Sequence, residues 1–117
     1  MNEVAGKDRT ALFATCYLGS LEDVKVVLLD QRVDVNKPGE KGPTPLFIAC
    51  SKGHVDVVRL LGDDPRIEIE RPTNEGVTPL EIAWVRRHKE IILFIRKTRE
   101  FLSFKAQSVF KIQKLSF

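Results

Sequence analysis

The sequence predicts an all-α solenoid of three helix-turn-helix repeats with hairpin-like loops and a helical C-terminal extension, and three observations lead to it. Thr-x-Leu recurs at Thr10-Ala11-Leu12, Thr44-Pro45-Leu46 and Thr78-Pro79-Leu80, a period of 34 residues traversed twice without a gap. Cys16 and Cys50, and His54 and His88, return at the same interval. Each unit holds a pair of short helical patterns with too little interior to be stable alone, so its apolar faces must be covered by neighbouring copies.

The middle copy is the cleanest. Thr44 caps a helix N-terminus with its hydroxyl, and Pro45 suits the first helical position because the N–H it lacks has no helical partner there. A helix is therefore expected to begin at Pro45. Leu46, Ile48, Ala49 and Cys50 give it an apolar face, with small residues at 49 and 50 that let a neighbour approach closely. Gly53 stands at a natural stop, where left-handed backbone costs glycine nothing.

Residues 54–61 read as the second helix, with Val57, Val58, Leu60 and Leu61 on one broad face. Pro65 is expected to end it. Ile67-Glu68-Ile69 alternates like a short extended segment, and residues 71–76 have the composition of a turn. In the first copy Leu12, Phe13, Leu21 and Val24 continue the interior pattern up to an edge with no separate cap. Either residues 1–7 fold over that edge or the edge frays. In the third copy residues 91–95 form the last second helix, which residues 96–100 prolong.

Length and composition bound the rest. A chain of 117 residues, 43% hydrophobic and 30% charged, is one domain of ordinary globular composition. It contains no apolar run near the roughly 18 residues that span a bilayer. Its start lacks the basic flank and apolar stretch of a secretory signal, so a cytoplasmic or nuclear location is expected. Cys16 and Cys50 occupy equivalent positions of stacked units, which lie farther apart than the about 4.4–6.8 Å between Cα atoms that a disulfide needs. They read as small buried residues.

The segment from Gly42 through Leu61, Gly-Pro-Thr-Pro-Leu-Phe-Ile-Ala-Cys-Ser-Lys-Gly-His-Val-Asp-Val-Val-Arg-Leu-Leu, resembles an ankyrin repeat. Gly76-Val77-Thr78-Pro79-Leu80-Glu81-Ile82-Ala83 repeats the motif, and Asp34-Val35-Asn36 matches the segment that usually closes a unit. The likeness covers about residues 5–95. It implies an ankyrin-type repeat domain over residues 1–100, with copies at about 5–38, 39–72 and 73–100, followed by a basic, phenylalanine-rich extension over 101–117.

The departures from that pattern are specific. Phe13, Phe47 and Glu81 stand where ankyrin repeats usually carry a histidine, and the helix cap is expected to hold the fold without it. An extra residue falls around Asp30-Gln31-Arg32 and Asp64-Pro65-Arg66, and the glycine usual in that loop is missing. Arg87 replaces the glycine between helices in the third copy, and Trp84 replaces a small residue. Left-handed backbone costs a non-glycine residue on the order of 1–2 kcal/mol, so this turn is expected to take a different shape.

No pattern for catalysis is present: no Gly-x-Ser-x-Gly, His-Glu-x-x-His, phosphate-binding glycine loop or dinucleotide fingerprint. His54 and His88 mark one repeat position and read as structural, and two thiols make no zinc site unaided. Neither enzymatic activity nor a cofactor is expected. The resemblance implies a non-enzymatic scaffold that binds an unidentified partner protein through loop tips and the concave side of the first helices. Carried over by position, the contact candidates are Lys7, Arg9, Tyr17 and Leu18 in copy one. Glu40, Lys41, Pro43, Ser51 and Lys52 follow in copy two, and Asn74, Glu75, Val77, Val85 and Arg86 in copy three. Self-association through exposed stack ends is a further option.

The extension admits a rival reading. Residues 1–84 carry 10 basic and 14 acidic side chains, whereas residues 85–117 carry 9 basic and 2 acidic, and five of seven phenylalanines follow residue 93. A stripe through Leu102, Ala106, Val109, Phe110 and Phe117 suits a helix capping the last repeat. The same basic, phenylalanine-rich composition also suits an anionic membrane surface, phosphate contacts to nucleic acid, or a docking or self-associating helix.

Overall fold

In the computed structural model the backbone is described for residues 10–115 and the side chains for residues 10–103. Among these residues the chain forms six helices and no strand: α1 (Ala11–Leu18), α2 (Leu21–Leu28), α3 (Pro45–Lys52), α4 (Val55–Gly62), α5 (Pro79–Arg86) and α6 (Lys89–Leu115). They form three antiparallel pairs. The inner helices α1, α3 and α5 pack in chain order, and the outer helices α2, α4 and α6 form a second layer behind them. Leu12, Cys16, Val24, Leu46, Cys50, Val57, Leu61, Ala83, Ile91 and Ile95 are buried in one continuous core between the layers.

Each inner helix starts as the threonine predicts. Thr10, Thr44 and Thr78 are extended, and their hydroxyls accept the amides of Phe13 (3.1 Å), Phe47 (3.1 Å) and Glu81 (3.2 Å). One donor that the first turn leaves without a helical partner is satisfied in each copy. The Glu81 carboxylate also accepts the Thr78 amide at 2.9 Å, closing a capping box. A glutamate at the usual histidine position thus serves the cap.

The loops project as paired hairpins. In residues 39–43 the Gly39 amide bonds the Pro43 carbonyl at 2.8 Å, and in residues 73–77 the Thr73 amide bonds the Val77 carbonyl at 2.9 Å. The Asn74 amide reaches the Lys41 carbonyl at 3.1 Å, so the hairpins of copies two and three lie side by side. Gly42 has a φ of 93°, and a Cβ there would run into Asn74.

The α4 helix ends at Gly62, one residue past the 54–61 read from the sequence, and beyond it the Asp64 carboxylate accepts the Arg66 amide (2.9 Å) in a turn around Pro65. Two expectations need correction. Residues 67–69 do not continue as an extended segment, since Ile69 stands in a turn and the Glu68 amide is taken by the Asn36 side chain at 2.8 Å. Arg87 takes the same left-handed conformation as the glycines it replaces, φ 62° against 75° at Gly19 and 78° at Gly53. Its amide still bonds the Ala83 and Trp84 carbonyls, so the cap keeps its shape at the cost of backbone strain.

The C-terminal extension continues α6 through Leu115, since no glycine or proline interrupts residues 89–115. Residues 99–103 are all exposed. The side chains of 104–117, including most of the expected capping stripe, lie outside the described residues, as do residues 1–7 at the other edge. Copy one carries a polar substitution of its own. Asp23 is exposed at the position that Val57 and Ile91 fill with buried side chains in copies with a predecessor.

Candidate functional site

The predicted contact residues fall into two groups on adjoining elements. Tyr17, Ser51 and Val85 form one row at equivalent positions of α1, α3 and α5, and Leu18, Lys52 and Arg86 form the next. Tyr17 is 39% exposed, Leu18 73% and Val85 72%. Lys52 and Arg86 are exposed, and Ser51 is half-buried. The second group occupies the hairpins: Glu40, Lys41, Asn74 and Glu75 are exposed at the tips, and Pro43 and Val77 are half-buried at the bases. Lys7 and Arg9 lie outside the described residues.

The rows are knitted together across copies. The Lys52 ammonium stands 4.5 Å from the centroid of the Tyr17 ring, a cation–π contact between copies one and two. Underneath, His54 Nε2 donates to the Tyr17 carbonyl at 3.0 Å, and His88 Nε2 donates to the Ser51 carbonyl at 3.2 Å. Because a carbonyl only accepts, each Nε2 carries its proton. The histidines thus fix the ends of the inner helices that bear the candidate residues, a structural role.

A second set of bonds fixes the spacing of the copies on the outer side. The Arg66 guanidinium pairs with Asp64 (2.8 Å) and reaches the Leu28 (2.9 Å) and Asp30 (3.2 Å) carbonyls of copy one. Its side-chain hydrogen bonds hold the Asp64 carboxyl below the ordinary 3.8. Asn36 donates to the Arg66 carbonyl at 2.8 Å and accepts the Glu68 amide at 2.8 Å. The recurring Asp-x-Arg at 30–32 and 64–66 signalled this clamp, although the sequence reading saw there only an inserted residue.

The remaining surface adds apolar features that the sequence reading did not assign. Trp84 is 56% exposed on the outer end of copy three, where Cys16 and Cys50 are buried in copies with a successor. On the outer layer, Gly62, Phe94, Thr98, Phe101 and Leu102 line a cavity of about 520 Å³. Cys16 and Cys50 are free thiols, and burial pushes both up to about 12 from an ordinary 9.0, so neither is a thiolate at neutral pH. Among the described residues no group of three His, Cys, Asp or Glu forms a metal site, and no helix is long and apolar enough to cross a membrane.

Comparison with known proteins agrees with this architecture. A chain in the structure of the predatory endopeptidase Bd0816 from Bdellovibrio bacteriovorus in complex with the immunity protein Bd3460 superimposes with a TM-score of 0.70 and 28% identity. The match covers 79% of the present chain and 47% of that one, so the protein spans about half the length of that neighbour. No curated protein matches. The family model for ankyrin repeats in three copies matches residues 12–103, and the chain belongs to the ankyrin repeat family.

Proposed function

We propose that this protein is a non-enzymatic module that binds a partner protein through its hairpin tips and the exposed side of its inner helices. Ankyrin repeats in general mediate protein–protein interaction, and the similar chain was solved within a complex of two proteins. The observation that carries the reading is the set of exposed apolar side chains, Tyr17 and Leu18 on α1 and Val85 on α5, on inner helices whose other faces are consumed by stacking. Large apolar groups held on a rigid face serve as interface anchors, and a stack cross-linked by His54, His88 and Arg66 needs little rearrangement to present them.

The rival reading places binding of an anionic membrane or nucleic acid in the basic extension. Immobilised chain, a Leu18→Asp/Val85→Asp variant and a Phe101→Ser/Leu102→Ser variant, exposed to one lysate, separate the two. Proteins retained by the chain and the extension variant but lost by the inner-helix variant are expected. Loss confined to the extension variant, with binding that weakens steeply in added salt, overturns the proposal.

A further inference from the structure

The last helix differs from the others in length and in charge. It starts in register with α4, since Lys89 stands one 34-residue period after Val55, and it runs for 27 residues where α2 and α4 have 8 each. At about 1.5 Å per residue it outruns its layer by about 28 Å. Ile91, Ile92 and Ile95 are buried in the stack, and beyond Ile95 no described residue of α6 is buried, with Phe101 63% and Leu102 50% exposed. The line through Ile91 and Ile95 continues at helical spacing through Thr98, Leu102, Ala106 and Val109, and Phe101, Phe104, Ile112 and Leu115 stand on the line beside it. Arg96, Lys111 and Lys114 fall on the opposite side of the helix, and Lys97 and Arg99 at its margins. Lys105 alone stands among the apolar positions, as a residue whose long stem can carry its ammonium outward. In all α6 holds seven basic and two acidic residues, whereas the rest of the chain holds 12 and 14. The stack neutralises little of this excess: Glu70 pairs with Arg99 at 3.4 Å, Asp64 is taken by Arg66, and Asp63 lines the cavity beside Lys97.

From this overhang we infer that α6 is a second contact site whose occupant is an anionic lipid surface, on which the helix lies with Phe101, Leu102 and the apolar positions after them toward the acyl chains and its cations among the headgroups. The excess of cations decides between the possible occupants. A second copy of the chain would bring the same cations and gain nothing from them. A nucleic acid would neutralise them and leave Leu102, Val109, Ile112 and Leu115 in water. An anionic bilayer surface uses both features of the helix. The helix rests on that surface and does not cross it, because no helix among the described residues is long and apolar enough to span a bilayer. The contact is independent of the proposed protein-binding face, which belongs to the inner helices, whereas α6 belongs to the outer layer. A protein on the first and a membrane on the second therefore use different layers of the stack.

Co-sedimentation of the full chain with phosphatidylcholine vesicles, made with and without phosphatidylserine, tests this. Partition onto the phosphatidylserine vesicles that falls as salt is added is expected, with little binding to the neutral ones. A Lys111→Gln/Lys114→Gln variant should bind the anionic vesicles about 30-fold more weakly, the effect of two basic residues near such a surface. A Phe101→Ser/Leu102→Ser variant should also lose binding, and unchanged thermal unfolding of both variants shows the stack intact. A Leu18→Asp/Val85→Asp variant should bind vesicles as the parent does. If that variant alone loses them, lipid meets the inner helices, and both this inference and the proposed protein-binding face fail. Binding that needs the lysines and not Phe101 and Leu102 overturns the apolar contact. Tighter binding of a fluorescein-labelled single-stranded oligonucleotide overturns lipid in favour of nucleic acid. Vesicles left unbound by a chain that dimerises more strongly in added salt, as apolar pairing of two basic helices would, overturn it in favour of a second copy.

Discussion

Gly53 and Arg87 hold the same left-handed backbone at the ends of α3 and α5, yet only one of them has a neighbour above it. A Cβ on Gly53 would come within 2.7 Å of the His88 ring, whose Nε2 bonds the Ser51 carbonyl, and Gly19 stands in the same relation to His54. The chain has two histidines, both engaged in those contacts, so no imidazole lies over Arg87, whose side chain is exposed. The comparison separates two reasons for a glycine. The positive φ can be borne by arginine at a cost of about 1–2 kcal/mol, whereas the close approach of the next copy cannot accommodate any side chain.

Exchanging residues between the two positions tests this most severely. Gly53→Arg adds the backbone strain and also displaces His88 from its 3.2 Å bond to Ser51. The expected loss is about 2–4 kcal/mol, the strain plus a hydrogen bond of about 1 kcal/mol and the disturbed packing, read as a fall in the urea midpoint. An unchanged midpoint would mean that the imidazole is not what excludes the side chain.

The outer-side clamp joins the same copies without any glycine. Asn36 bridges copies one and two through two bonds to the backbone of the Arg66–Glu68 loop. Asn36→Ala leaves that carbonyl and amide without their partner, which costs about 2 kcal/mol. Amide exchange should quicken first in α2 and in the loop that follows it. Loss spread evenly over all three copies would show that the clamp does not set the junction.

The ion pair beside that clamp gives a smaller effect with a definite pH window. The carboxyl of Asp64 lies below 3.8 in the folded chain because of its Arg66 hydrogen bonds, so it contributes stability that is present above pH 3.8 and lost as the pH falls through the folded value. Asp64→Asn is therefore expected to be less stable than the parent at pH 7. The gap should narrow in acid melts below about pH 4. A difference that does not change with pH would assign the effect to the turn at Asp64 and not to its charge.

These contacts also mark the limit of what the residues disclosed. The stack was legible because Thr-Pro-Leu and the helix-spaced apolar residues are local signals that repeat, and a repeat forces neighbours to share a core. The loops were less legible. Pro65 drew attention as a helix breaker, while the turn around it, closed by the Asp64 carboxylate on the Arg66 amide, gave no local signal. Asn36 read as part of a closing motif, and its partners lie 30 and 32 residues away, where no local pattern points. Of the candidate site, Tyr17, Leu18, Lys52, Val85 and Arg86 are exposed as required. Their selection came from register and not from chemistry.

The reverse exchange, Arg87→Gly, is expected to produce the smallest change and the opposite sign. Glycine relieves about 1–2 kcal/mol of left-handed strain, and the gain is offset by its greater freedom in the unfolded chain, about 0.4–1 kcal/mol. A net stabilisation of roughly 0.5–1 kcal/mol follows. Because Arg87 is exposed and only its backbone takes part in the cap, no packing should be lost with the side chain. A rise in the urea midpoint with an unchanged slope would show that copy three keeps arginine at some expense to stability. A fall would mean that the arginine side chain contributes to the end of the stack, and the two positions would then differ in their neighbours by less than the geometry implies.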